Sequence, residues 1–324
     1  MYDSSRPAPA DTASPLLRFE EFCANALPSH LMEVNDLRRS VRRLFLACFA
    51  PPVIAVVLIA LRYRGGGLYF VLMVAWIVAG GLYWHRRGRI YAALRERILP
   101  AVAACAGPGF DFSPGGSVKR GRFMAGGLFK GEIAGYDGGH HLSGRLGRTW
   151  FEFSELCVTE KGHRDEADAG ILFRGVYFVA DCNKRFATHT VVLPDTLQRG
   201  LGQLGQALQA IFPQRGQLIR LEDPEFEKKF VVYGEDQVEA RYLLTPALMQ
   251  RMVAVDAKLG GRVHFAFAGS HVHVAIPAGG IGFEPSSFTP GTEVEILRTY
   301  FERLRSLVGI VEDLDLNTRV WTKG

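Results

Sequence analysis

The chain lacks clustered cysteine. Its five cysteines, at 23, 48, 105, 157 and 182, are odd in number and scattered, and no Cys-x-x-Cys occurs. No disulfide framework is legible, and reduced thiols on the cytoplasmic side are the simplest reading. Also missing are Gly-x-Ser-x-Gly, His-Glu-x-x-His, a P-loop lysine pattern and the kinase signatures, so no compact catalytic motif can be read off. The first forty residues carry charge throughout and contain no apolar leader, so no secretory signal is expected.

Charge is absent from two long stretches. Leu44 to Leu61 is eighteen residues without one, and Gly65 to Trp84 is twenty more. Each is near the length that crosses about 30 Å of hydrocarbon. The sequence therefore predicts two transmembrane helices, 44–61 and 65–84, with Pro51 and Pro52 distorting the first. Arg38, Arg39, Arg42 and Arg43 precede the pair, Arg86, Arg87 and Arg89 follow it, and only Arg62 and Arg64 lie between. That asymmetry points to a multi-pass protein of a bacterial inner (plasma) membrane with both termini cytoplasmic. The spans hold no acid or base, which disfavours a transport component.

The net charge of +5 divides unevenly. Residues 1–99 hold 13 Lys and Arg against 7 Asp and Glu, and residues 100–324 hold 25 against 26. The basic excess therefore belongs to the helical part. Nucleic acid is not expected as a partner, because it needs clustered basic charge. The bilayer is the expected partner, with a protein partner at the membrane or a homo-oligomer beside it.

Residues 1–15 read as a disordered tail, 16–43 as a juxtamembrane helix interrupted at Pro28, and 86–106 as a connecting amphipathic helix. Residues 107–324 read as a cytoplasmic α+β domain of mixed sheet and helix, with a division into two sub-domains near 215. "TWFEFSELCVTEK" and "GVYFVADCNK" are rich in aromatic and β-branched residues and predict strands. "GYDGGHHLSGRLGR" reads as connecting turns, and "HRDEADAG", 163–170, as an exposed loop. A further strand is expected near His189 to Leu193.

The stretch "FEKKFVVYGEDQVEARYLLTPALMQRM", 226–252, is crowded with charge. Phe226, Lys228, Phe230 and Val232 alternate as in a strand. Asp236 with Glu239 three residues on is a capping-box pattern for a short helix to about Leu243. Thr245 and Pro246 open the next helix, with Leu248, Met252, Val255 and Leu259 on its apolar face. Val263 to Ile276 predicts a hairpin. Glu293 to about Val311 predicts a last helix with a buried stripe of Leu297, Tyr300, Phe301, Leu304 and Val308.

Three site candidates stand out. "GLGQLG", 200–205, matches Gly-x-Gly-x-x-Gly. Six residues separate it from the preceding strand, however, and a leucine stripe runs through it, which predicts a helix over 196–212 rather than a dinucleotide turn. If Gly269-Ser270 is a two-residue turn, Ala268 pairs with His271 and Ala266 with His273. His264, His271 and His273 then share a sheet face as candidate metal ligands. A solvated or partner-covered face is the ordinary alternative. Asp181, Asn183 and Lys184 form a polar strand end that could cradle a ligand, though a turn closed by Asp and Asn side chains is the more ordinary outcome. No cofactor and no catalytic residue is assigned.

"FRGVYFVADCNKRFATHTVVLPD", "LEDPEFEKKFVVYGEDQVEARYLLTPALMQRM" and "VEDLDLNTRVWTK" together resemble a bacterial membrane family known as domain of unknown function 3137. The resemblance spans roughly residues 20–324 and implies an inner-membrane protein with a cytoplasmic domain. It implies no activity and no site residue. The function expected is a scaffold or sensory module that binds a protein or ligand, with a membrane-anchored enzyme of dispersed catalytic residues as the alternative.

Overall fold

The computed structural model describes residues 14–60, 66–129, 131–161, 170–195, 216–277 and 292–316. It comprises a helical unit, Met1–Cys105 with Pro285–Val294, and a sheet unit, Ala106–Glu284 with Glu295–Gly324.

The helical unit opens with α1 (Pro15–Glu21). Ser14 caps it by accepting from Leu17 N, and Pro15 takes the first helical position, where no amide donor is needed. The chain widens into one π turn, Phe22–Ala26, and continues as α2 (Leu27–Ala60). The interruption expected at Pro28 is not a break. The wide turn absorbs the proline, with Leu27 N reaching back to Phe22 O. Helix α3 (Gly66–Ala93) leads through a second π turn, Leu94–Ile98, into α4 (Leu99–Ala106). Cys105 Sγ lies 3.7 Å from Arg18 O, so α4 meets α1.

The transmembrane hairpin expected at 44–61 and 65–84 is corrected. Among the described residues, no helix is long and apolar enough to cross a membrane. The first half of α2 is charged, its apolar part begins only at Leu44, and the described helix ends at Ala60. Gly67, Gly80 and Gly81 thin the apolar surface of α3, with nothing within 4 Å of where a Cβ would stand. The two helices pack on each other. They leave Val53, Ile54, Val56 and Val57 of α2, and Phe70, Val71, Val74 and Trp76 of α3, exposed.

The sheet unit is α+β, as expected. Its strands are β1 (Asp111–Ser113), β2 (Ile133–Leu146), β3 (Thr149–Glu160), β4 (Ile171–Asp181), β5 (Thr190–Pro194), β6 (Gln217–Ile219), β7 (Phe230–Gly234), β8 (His264–Ala268) and β9 (His271–Pro277). They form one sheet of 9 strands in the order β1-β2-β3-β4-β9-β8-β5-β7-β6. Every pairing is antiparallel. The sheet spans the division expected near Arg215, since β5 before it pairs with β7 and β8 after it.

The glycine-dense run read as turns is in fact most of β2. Glycine is needed there for close approach: a Cβ on Gly138 would stand 2.6 Å from Ser117 Cβ, and one on Gly144 would stand 2.5 Å from the Phe110 ring. His140, at φ 55, sits in an irregularity between Gly139 and Leu142. The turn itself is confined to Gly147, at φ 60.

Among the described residues, six helices belong to this part of the chain: α5 (Arg120–Ala125), α6 (Pro224–Glu227), α7 (Gln237–Leu243), α8 (Pro246–Lys258), α9 (Glu293–Val308) and α10 (Ile310–Asp313). Phe226 was expected in a strand but lies in α6. Asp223 accepts from Glu225 N and Phe226 N, and Pro224 starts the turn, so the capped helix wins over the alternation. The caps expected at Asp236 and Thr245 are present. Helix α8 buries Met249, Met252, Val255 and Asp256, while Leu248 is only half-buried. The stripe of α9 is buried as expected, and Gly309 separates it from α10. "GLGQLG" with its expected helix, and 163–169 of the expected loop, lie outside the described residues.

Strand alternation gives the sheet two faces. One carries Phe151, Phe153, Phe178, Phe265, Phe267 and Val274, with the first three rings stacked at 6.1–6.3 Å. The other carries Trp150, Glu152, Tyr177, His271 and His273.

Candidate functional site

On the phenylalanine face, a half-open pocket of about 270 Å³ lies where the β4–β5 loop meets α7, α8 and the turn after α10. Cys182, Phe186, Leu243, Ala247, Leu248, Phe267, Leu314 and Leu316 make it mostly apolar, and Lys184, Thr245, Arg251 and Asp315 are its polar members.

The β4–β5 loop is tightly held. Asp181 Oδ1 accepts from Asn183 N at 3.0 Å, which closes a turn around Asn183 at φ 56. Cys182 N donates to Ser270 O and Phe186 N to Gly269 O, so the loop docks on the β8–β9 turn. Its far end is taken by Glu239 of α7. Glu239 Oε1 accepts from Ala187 N at 2.8 Å, and Oε2 accepts from Thr188 N at 2.8 Å and from the Thr188 hydroxyl. The capping box expected at Asp236 and Glu239 is thus half realised. Asp236 caps its own helix, while Glu239 reaches 51 residues back along the chain.

This loop carries Lys184. The ammonium stands 4.4 Å over the Tyr242 ring and 5.8 Å from the Phe186 ring, a cation–π setting. Burial pulls the Lys184 pKa down, partly opposed by the charge of Glu239. Burial would raise the Glu239 carboxyl, but the hydrogen bonds from Thr188 and Ala187 and the charge of Lys184 hold it below the usual range. Arg251 is bound to Asp315 at 2.7 Å.

The opposite face carries a charged and aromatic cluster. Glu152 is 5% exposed, bridged to Arg122 of α5 and to His141 Nε2, the latter at 2.9 Å. Burial would raise its carboxyl, yet the His141 and Arg122 hydrogen bonds leave it below the usual range. The Arg122 guanidinium lies 4.7 Å over the Trp150 ring, which in turn meets His271 edge-on.

The hairpin register places Ala268 opposite His271 and Ala266 opposite His273, as expected from a Gly269-Ser270 turn. The histidines do not share one environment. His273 is 1% exposed, with Nδ1 3.1 Å from Tyr177 Oη. Tyr177 Oη also lies 3.2 Å from Phe123 O. Its one proton goes to that carbonyl, so His273 donates from Nδ1. Burial pulls the His273 pKa down to about 3, helped by the charges of His271, His189 and Arg122 and opposed by Glu152. Gly126 closes over the pair, and a Cβ there would collide with Tyr177 Oη. His264 sits instead against Phe129, ring centroids 5.6 Å apart. Among the described residues, no group of three or more His, Cys, Asp or Glu could hold a metal ion.

Two roles had no signal in the sequence. Glu152 looks like any outward residue of a strand, and Glu239 looks like a capping-box partner. Both meet their partners only across the fold.

No curated protein matches the chain. Among solved structures, the crystal structure of the mycobacterial trehalose monomycolate transport factor A, TtfA, is similar at 11% identity and a TM-score of 0.32. The match covers 61% of this chain and 88% of that one, and at this score it carries no argument. The family model described as "Protein of unknown function (DUF3137)" matches residues 171–316, and the chain is similar to that family over those residues.

Proposed function

We propose that the protein is a binding module at a bilayer, and that its sheet unit takes an apolar group into the pocket between the β4–β5 loop and α8. The pocket carries this reading. Apolar lining with a few placed polar groups is the usual make-up of a ligand site, and its volume falls near the lower end of such sites, roughly 300–1,000 Å³. The pinned loop supports it too, because a site needs walls that are already in place. An enzyme with dispersed catalytic residues would be favoured by Asp181, His264, His271 or His273 in the wall, and none of the four lines the pocket.

Bilayer contact is supported by the exposed apolar side chains of α2 and α3 and by the arginines that flank them in sequence. Exposed apolar surface of this extent marks a contact site, and basic flanks favour an anionic lipid surface.

Full-length protein carrying Phe70→Asp and Val74→Asp, which lower dye binding to the exposed apolar helices, should still enhance the fluorescence of the apolar dye 8-anilinonaphthalene-1-sulfonate, and adding Leu248→Trp, which fills the pocket, should lower that gain. Dye binding unchanged by Leu248→Trp would remove the pocket from the proposal. Sedimentation with vesicles containing anionic lipid should recover the protein in the pellet. Phe70→Asp with Val74→Asp should return it to the supernatant. Wild-type protein left in the supernatant would end the bilayer part.

A further inference from the structure

We infer that the pocket takes the uncharged methyl end of a single hydrocarbon chain and leaves the head of that chain outside, whatever its charge. This rests on the reading of the pocket as a binding site and names what enters it.

The chain follows from the lining. The buried members of the wall are Cys182, Phe186, Leu243, Phe267, Leu314 and Leu316. Phe186 and Phe267 meet edge to face at 5.7 Å and make a rigid apolar surface. Burial raises the Cys182 thiol above its ordinary pKa, so the sulfur stays neutral and packs as a small hydrophobe. Burial of apolar area is therefore the main attraction on offer. About 270 Å³ is below the volume of most drug-sized ligand sites, which leaves room for one chain rather than two side by side.

The exclusion of the head follows from the polar members, each of which is engaged within the protein. Thr245 Oγ1 accepts from Leu248 N at 3.3 Å and caps α8. Arg251 is bound to Asp315 at 2.7 Å. The Lys184 ammonium lies 4.4 Å over the Tyr242 ring and is coupled to the Glu239 carboxylate. A charged head drawn inside would lose its water and find a partner only by breaking one of these arrangements. Ala247 is exposed and Leu248 half-buried, so the opening lies along the first turn of α8. A head left there stays hydrated at no such cost.

Glu239 is a positioning residue in this arrangement. Its oxygens accept from Ala187 N and Thr188 N, next to Phe186 in the chain. The aromatic wall is thereby in place before the chain enters.

The test is photo-crosslinking on the full chain in lipid nanodiscs. The probes are ten-carbon chains with an alcohol, carboxylate or trimethylammonium head, each made with a diazirine either near the methyl end or beside the head. A phenyl-ended version of the alcohol is the fourth probe. Label on peptides spanning 182–186 and 243–251 is scored by mass spectrometry relative to label on the nanodisc lipid. The methyl-end diazirine should label these peptides more than the head-side diazirine. The three heads should agree within about threefold, the spread of a solvated charge contact. Lys184→Met should leave that agreement in place, and Leu248→Trp should lower label from every probe. A preference of about tenfold for one charge, the size of a charge-assisted hydrogen bond, overturns the exclusion of the head and leaves the pocket reading standing. Stronger label from the head-side diazirine overturns the orientation, and stronger label from the phenyl-ended probe overturns the linear chain. Absence of label from these peptides with every probe overturns the pocket reading itself.

Discussion

The carboxylate of Glu239, on α7, accepts the backbone amides of both Ala187 and Thr188 at 2.8 Å and thereby fixes the loop between β4 and β5. Both amides need a partner near the surface, and a charged acceptor strengthens each bond. Glu239→Ala should cost about 1–2 kcal/mol, a value kept low because the site is largely solvated. Glu239→Gln should cost less, because one oxygen still accepts. Hydrogen exchange at Ala187 and Thr188 checks this: faster exchange confined to residues 182–189 is the expected result.

Asp256 holds a second loop. It is 7% exposed, and its Oδ1 accepts from Arg262 N at 2.8 Å and Val263 N at 3.0 Å. These bonds stabilise the turn through Gly260, Gly261 and Arg262, all at positive φ. Asp256→Ala leaves two amides without their acceptor and should cost roughly 2–4 kcal/mol, while Asp256→Asn should cost clearly less. Urea unfolding of the three proteins gives the order.

His273 makes stability depend on pH. Its folded pKa is pulled down to about 3, chiefly by burial, while an unfolded histidine titrates near 6.5. The folded state binds fewer protons in that window. The stabilisation is therefore complete above about pH 6.5 and is lost as pH falls toward 3, with a slope of up to ~1.4 kcal/mol per pH unit. Denaturant midpoints at pH 7 and pH 5 should fall for wild type and change much less for His273→Gln. A flat wild-type profile over that range would show that His273 is not buried neutral.

Phe230 and Asp236 sit six residues apart in the charged stretch but hold different weight. Phe230 is 3% exposed, between Phe226 at 5.1 Å and Phe265 at 5.9 Å. Phe230→Ala should cost about 3–5 kcal/mol. Asp236 accepts from Val238 N and Glu239 N at the exposed start of α7, so Asp236→Ala should cost about 1 kcal/mol. Thermal unfolding separates the two. A larger loss from Asp236→Ala would mean that the helix start, not the aromatic core, holds this region together.

Local information in the sequence settled several features. The caps at Asp236 and Thr245, the buried stripe of α9 and the register at Gly269-Ser270 each depend on residues within a few positions of one another, so spacing alone determined them. The competition at Phe226 was also local and was misread, because the Asp223-Pro224 cap outweighs a weak alternation. Beyond that range the sequence said little. Nothing near Gly138 announces that Ser117 will press on it, so a glycine-rich strand resembled a set of turns. Nothing near Glu239 names Ala187 and Thr188, nothing near Glu152 names Arg122 and His141, and nothing near His273 names Tyr177. The pocket draws its wall from segments more than 130 residues apart, Cys182 at one end and Leu316 at the other. Periodicity and caps act over one or two turns of chain, and so the sequence determined the elements. Buried polar groups and cavities depend on which elements become neighbours, and only the closing of the sheet and helices decided those.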